Sequence, residues 1–542
     1  MASIGEVGAQ TPNKEDGNQD QNVTLDLYFG VFFDGTGNNM IPSSVAKERR
    51  KKVKKATLKK KDWDLYLNKD LVNGANSVSD KEIEPQKQLN SKIDSLEYQG
   101  SGRSNIAILH SCYQGKEEKQ QQDKIYNIYI EGPGKDSINK DSKIQDVKNA
   151  LGSGFGNGKT GVVALVSKAV KMIRLVLDGF GISEISKERD SNKTVRIHFD
   201  VFGFSRGAAC ARLFSFIAGR GKKDFLGCEE KFANFQASEY FANDRYLHFL
   251  DKLNVTSEVS FLGIFDTVSS IGITYDNNVA DFGMFSPDEA WVKETFHICA
   301  MDEFRSHFAL TDINTNKKGN IEIYIPGCHS DIGGGYQIGA EKFLLNYRES
   351  LMSKYKMIIG EKAGKEKAGK EKAGKENGET ENISSKCLEM LGWGYGEEIK
   401  DHEIRGYVTC KRKKVLAGYS NIPLLLMKYK AEKAGRNGMF VDFPKGRFDV
   451  PSDLSRIKDT FMKEIENLCS GRKWLFPGGS YCSNEYRELR HPYLHFSATD
   501  SILSSNSSIV HSPNIKDGII CRIIYHGSKY SLPEPTYMCN MK

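Results

Sequence analysis

The chain has no run of eighteen or more apolar residues, no Cys-x-x-Cys pair and no apolar stretch near its start. The first absence excludes a membrane-spanning helix, which needs about 20 consecutive apolar residues. The second removes the usual spacing of a structural zinc site, so no metal is expected. With eleven cysteines scattered singly, it also points to reduced thiols in a cytoplasmic product rather than a disulfide framework. The third argues against classical secretory export, because the opening MASIGEVGAQTPNKEDGNQDQN is polar with no apolar h-region and reads as a disordered lead. Aromatics are missing from the lysine-rich run 47–61, KERRKKVKKATLKKK. That run therefore lacks the stacking platform of a nucleic-acid binder; it reads as a solvated face or a patch drawn to anionic lipid.

What is present is a 542-residue chain, 39% hydrophobic and 27% charged with a net charge of +7, long enough for a large core with insertions or for two domains. Apolar runs at 25–33, 125–130, 194–202, 259–265 and 321–325 each end in a polar or glycine-rich loop. Helical patterns at 162–177 and 208–218 lie between them. This alternation predicts an α/β fold with a mostly parallel sheet, helices on both faces, and a site at the carboxyl ends of the strands. The expected division is a lead over 1–22 and a core over 23–345 with a basic insertion near 45–100. A surface insertion over 346–410 follows, holding the thrice-repeated EKAGK of 361–375, and a C-terminal segment over 411–542 packs on the core as a lid or membrane contact.

The stretch GSGFGNGKT at 152–160 imitates a phosphate-binding loop, but Ser153 stands where the first glycine is needed, and a polar run precedes it where a strand should lead. A flexible loop before a helix accounts for it better. The stretch VFGFSRGAAC at 201–210 is different in context: a strand delivers Ser205 to a turn between Gly203 and Gly207, and Ala208 and Ala209 let the next helix pack closely. That is the local form of a nucleophile elbow. The start of the helix favours developing negative charge, with the Arg206 N–H as one oxyanion donor and Gly35 or Thr36 of FDGTGN as the second.

A serine hydroxyl needs a base, and the base needs an acid to orient it. Asp266 follows one strand and His329 the next apolar run, about sixty residues apart each time, in the chain order Ser, Asp, His of this fold type. His495, in YLHFS, and His297, in FHICAMDEF, compete for the base; Asp331 competes for the acid, and Asp34 forms a turn close to the site.

Seven stretches then stand in one order: FFDGTGNN (32–39), EGPG (131–134), GFSRGAA (203–209), FDTV (265–268), AMDEFR (300–305), PGCHSDIGGGY (326–336) and IPLLL (422–426). In these the chain resembles the lipase effectors of the bacterial type VI secretion system, whose catalytic core is an alpha/beta hydrolase. The resemblance implies a triad falling on Ser205, Asp266 and His329, no cofactor, and phospholipase A activity on bacterial membrane phospholipid. It also implies delivery on a VgrG-like spike from the producer's cytoplasm to the periplasm of target cells, and a cognate immunity protein. Two rival expectations are a serine hydrolase of another ester class and a non-catalytic binding module on the same fold.

Overall fold

The computed structural model describes residues 23–38, 72–73, 103–113, 124–133, 161–179, 193–226, 255–270, 292–346, 398–402, 407–434, 439–475, 484–498, 515–526 and 536–539, with a few internal gaps. The lead 1–22, the basic run 47–61, the GSGFGNGKT stretch and the EKAGK repeat lie outside them.

In chain order the elements are β1 (Val23–Phe33), β2 (Val72–Asn73), α1 (Asn105–Cys112), β3 (Lys124–Ile130), α2 (Val162–Gly179), β4 (Lys193–Phe204) and α3 (Arg206–Leu226). Then come β5 (Val255–Phe265), β6 (Val292–Ala300), β7 (Leu310–Thr311), β8 (Asn320–Ile325), α4 (His329–Gly333) and β9 (Gly339–Asn346). The rest is β10 (Glu398–His402), β11 (Tyr407–Val415), α5 (Asn421–Lys433), α6 (Ser455–Asn467), β12 (Arg472–Leu475), α7 (Asn484–Tyr493), β13 (Ile515–Lys516), β14 (Ile519–Tyr525) and β15 (Thr536–Cys539).

Eight strands form one sheet in the order β12-β8-β6-β5-β4-β1-β3-β2. Every neighbouring pair is parallel except the two-residue β2 against β3. The protein is therefore an α/β fold with a mostly parallel sheet. The five apolar runs became its central strands because both faces of a parallel sheet are covered, so aromatic and branched residues pack on either side. Phe32 and Phe202, on adjacent strands, stack with centroids 4.8 Å apart. On another part of the core Phe214 of α3 meets Phe199 edge-on. The segment around His297, legible as either strand or helix, is the strand β6.

The C-terminal part of the chain enters this architecture at three places. Residues Ile422, Leu424, Leu426 and Met427 of α5 are fully buried in the main core. β12 lengthens the sheet beside β8. β14 runs parallel to the short β7, with Ile524 opposite Leu310 and Tyr525 opposite Thr311. Among the described residues no helix is long and apolar enough to cross a membrane.

Cys112, Cys210, Cys299 and Cys328 are free and buried. Cys521 departs from the expectation of reduced thiols, for it is disulfide-bonded. Cys539 stands opposite it on β15, a proximity made by an antiparallel pairing and invisible in the linear spacing.

Candidate active site

Ser205 sits between the last residue of β4 and the first of α3 with φ +60, a left-handed backbone that a non-glycine residue adopts only where the surroundings hold it. Its N–H donates to the Phe265 carbonyl (3.1 Å) and its carbonyl accepts from Val268 N–H (3.3 Å), so the turn is laced to the end of β5. The flanking glycines are required by close approach. A Cβ on Gly203 would lie 2.5 Å from the Gly207 carbonyl, and one on Gly207 would lie 2.2 Å from the Asp34 carbonyl.

Asp266 follows β5 directly, also with positive φ (+43), and is completely buried. Its Oδ2 meets His329 Nδ1 at 2.6 Å. Its Oδ1 accepts from Ala300 N–H at 2.8 Å. Arg522 of β14 grips both oxygens, Nη1 to Oδ1 at 2.7 Å and Nη2 to Oδ2 at 2.9 Å. Burial by itself raises such a carboxyl, but the Arg522 charge and the His329 hydrogen bond outweigh it and hold Asp266 well below the usual carboxylate range.

His329 opens α4, after β8. Its ring packs on Phe204, the residue before Ser205, at 4.6 Å between centroids, and against the edge of Phe308 at 5.2 Å. Burial lowers its pKa from the ordinary value, against the opposing pull of Asp266, so the imidazole is neutral at neutral pH. An ionised carboxylate only accepts, which places the proton on Nδ1 and leaves Nε2 as the basic atom.

The competing residues are drawn into other pairs. His495 Nδ1 bonds Asp331 Oδ1 at 2.8 Å, its own N–H bonds Asp331 Oδ2 at 2.9 Å, and its ring stacks on Tyr336 at 3.8 Å. Asp331 therefore partners His495, two residues along from the histidine that Asp266 holds. His297 is fully buried, taking Thr267 N–H on Nε2 (3.2 Å) and meeting Glu322 Oε2 through Nδ1 (2.9 Å). The ligand atoms of His297, Cys299 and Glu322 lie within 4.8 Å of one another. Both ring nitrogens are nevertheless in hydrogen bonds, and burial first, with Glu322 beside it, pushes the Cys299 thiol well up, away from the thiolate a metal wants. The trio reads as a hydrogen-bonded core.

Asp34 directly follows β1 and organises the loop that comes after it. Its carboxylate accepts from Gly35 N–H (2.7 Å), Asn38 Nδ2 (3.2 Å), Ser104 Oγ (2.7 Å) and Tyr129 Oη (2.5 Å). The Gly35 amide is thus already engaged, because the Asp34 carboxylate folds back over its own loop. Thr36 has its hydroxyl buried with no hydrogen-bond partner. Arg206 begins α3, and no carbonyl inside that helix precedes its N–H.

Arg522 and Glu303 were not legible as site residues. Glu303, within AMDEFR, accepts from the His329 N–H (3.3 Å) and from Ser497 Oγ (2.9 Å) and is chelated by Arg305. Arg522 lies 256 residues from Asp266. Its one signal is a lone arginine inside the apolar run IICRIIY, where a buried charge demands a partner.

Residues 90–357 match the family model of the Tle1-like phospholipase effector catalytic domain of the T6SS, the type VI secretion system. No curated protein matches the chain. Among solved structures, the Tle1 effector in "Structure of the Tle1 effector bound to the VgrG spike from the Type 6 secretion system" is 20% identical, over 96% of this chain and 98% of that one, with a TM-score of 0.48. An uncharacterized protein from Pseudomonas aeruginosa is 16% identical, over 81% of this chain and 51% of that one, with a TM-score of 0.34. Over residues 90–357, just under half its length, the chain is thus similar to the catalytic domain of the Tle1-like phospholipase effectors of the type VI secretion system.

Proposed function

We propose that the protein is a serine phospholipase A that hydrolyses acyl esters of bacterial membrane glycerophospholipids through Ser205, His329 and Asp266. The observation that carries this is the 2.6 Å bond from the neutral His329 to a buried, ionised Asp266, on the strand ends beside a left-handed Ser205. His329 Nε2 takes the proton of Ser205 Oγ as Oγ bonds to the ester carbonyl carbon. The resulting oxyanion is met by the Arg206 N–H at the helix start and by a second donor from the loop after β1. Thr36 suits that second role better than Gly35, whose amide faces Asp34. When the ester C–O bond breaks, the imidazolium returns the proton to the departing lysophospholipid alcohol. Water then attacks the acyl-serine, giving its proton to Nε2; the acyl–Oγ bond breaks, the imidazolium returns that proton to Oγ, and fatty acid leaves.

The match of residues 90–357 to a type VI effector catalytic domain supports export by that system; we further propose carriage on a VgrG-like spike, action from the periplasm of a rival cell, and a cognate immunity protein that protects the producer.

Mass spectrometry of products from vesicles of phosphatidylethanolamine and phosphatidylglycerol tests the reading. The parent protein should release fatty acid and lysophospholipid, and Ser205→Ala should lose on the order of a thousandfold or more in turnover, since the three residues act as a unit. Equal release by the variant would refute the assignment. Hydrolysis of triglyceride or short esters in place of phospholipid would leave the serine chemistry and move the substrate class.

A further inference from the structure

We infer that Arg522 is a positioning residue for the reaction, contributed by the C-terminal strand β14, and that it holds Asp266 ionised and aimed at His329. The inference rests on the proposed Ser205–His329–Asp266 reading. It adds a residue outside the matched catalytic segment, which ends at 357.

A planar guanidinium presenting two parallel N–H bonds to one carboxylate fixes the plane of that carboxylate as well as its charge. Here the fork leaves Oδ2 directed at His329 Nδ1 and Oδ1 at the Ala300 amide. Arg522 also donates to the Ala300 carbonyl, so guanidinium, carboxylate and one peptide unit close on each other. Both charged side chains are entirely out of solvent. Buried ion pairs are poor stabilisers compared with apolar packing, which makes a structural reason for this one weak. The nearby Asp331, partner of His495, is completed instead by the backbone amides of Cys328 and His495. The carboxylate joined to His329 takes the cation.

The strand carrying Arg522 is anchored for this. β14 pairs with β7, Asp312 N–H donates to the Tyr525 carbonyl (3.0 Å), and Thr311 N–H donates to the Thr267 carbonyl (2.9 Å), next to Asp266. β14 is thereby tied through β7 to the backbone beside Asp266. The ionisable groups around the pair are Arg522, Cys299 of β6, Glu303 and Arg305 after β6, and His329 itself.

Without the Arg522 charge, the His329–Asp266 unit binds a proton more readily, so activity should fade at a higher pH on the acid side. The test compares the full chain with Arg522→Gln and Arg522→Lys on dihexanoyl phosphatidylcholine across the pH range, with melting temperature as a check of folding. For Arg522→Gln we expect kcat to fall by about tenfold to a hundredfold, KM to move by less than about threefold, and the acid limb of kcat/KM to rise by about one pH unit. Arg522→Lys, which keeps the charge but not the fork, should bring the acid limb back towards the parent while kcat stays reduced. A folded Arg522→Gln with parental kcat and acid limb overturns the inference, as does equal loss in both variants with an unmoved pH profile. If Arg522→Gln does not fold, Asp266→Asn/Arg522→Gln replaces it: action through Asp266 requires the kcat of Asp266→Asn alone, and a clear drop below it overturns the inference. Ser205→Ala run alongside separates the two questions, for activity surviving in that variant would sink the triad itself.

Discussion

A single methyl group at Gly207 should disable the site without touching a reacting atom. In Gly207→Ala the new Cβ would stand 2.2 Å from the Asp34 carbonyl oxygen and 2.4 Å from that of Phe33. Both neighbours are backbone, and Phe33 is paired in register with Gly203, so no side-chain rotation relieves the clash. Ordinary contact between such atoms requires a retreat of about 1 Å, shared between the end of β1 and the first turn of α3. Overpacking of this kind costs about 1–3 kcal/mol. The larger effect should be on rate, because the two pieces forced apart carry the Ser205 turn and the loop of Asp34 and Thr36. A displacement of about 1 Å at a reacting centre can cost on the order of a hundredfold. Steady-state hydrolysis of a soluble phospholipid, with thermal melting in parallel, measures both. We expect kcat to fall by about that factor while KM changes little. A Gly207→Ala protein with kcat within about threefold of the parent would show that the elbow and the loop do not cooperate, and the oxyanion reasoning would fail with it.

His329→Ala and His495→Ala should separate cleanly in the same assay. The first should lose on the order of a thousandfold in turnover as a member of the triad, whereas His495→Ala should lose less than about tenfold and about 1.5–3 kcal/mol of stability with its bond to Asp331; the reverse ranking would transfer the base to His495. Acidification should destabilise the fold with a defined sign. Glu303 is held at about 2, the charge of Arg305 outweighing its burial, and Asp266 is likewise depressed. Their contributions are therefore complete above the unfolded carboxylate values of about 4 and are lost as the pH falls towards 2. His329, lowered by burial, adds a loss that begins as the pH drops below about 6.5, where the unfolded imidazole takes up its proton first. A melting temperature that rose between pH 7 and pH 3 would contradict these assignments.

Much of the fold was open to inspection in the sequence because its signals are short in range. The runs at 25–33, 125–130, 194–202, 259–265 and 321–325 are strands of one parallel sheet, since continuous apolar stretches of that length bury both faces. Ser205, Asp266 and His329 follow the ends of β4, β5 and β8 in turn. The run around His297 could be read two ways, because a short apolar segment does not distinguish strand from helix until its neighbours are known.

By itself, then, the sequence determined the alternation of strand and helix, the sharp turn at Ser205 and the small residues on either side of it. Each is a matter of backbone sterics and periodicity over a few residues. Only the tertiary structure decided which carboxylate meets which histidine, giving Asp266 to His329 and Asp331 to His495. It alone turned the Gly35 amide onto Asp34, and it alone brought Arg522 across 256 residues to the acid. Those choices depend on distances between segments far apart along the chain, and on where a buried charge finds its counter-charge, which no local pattern records.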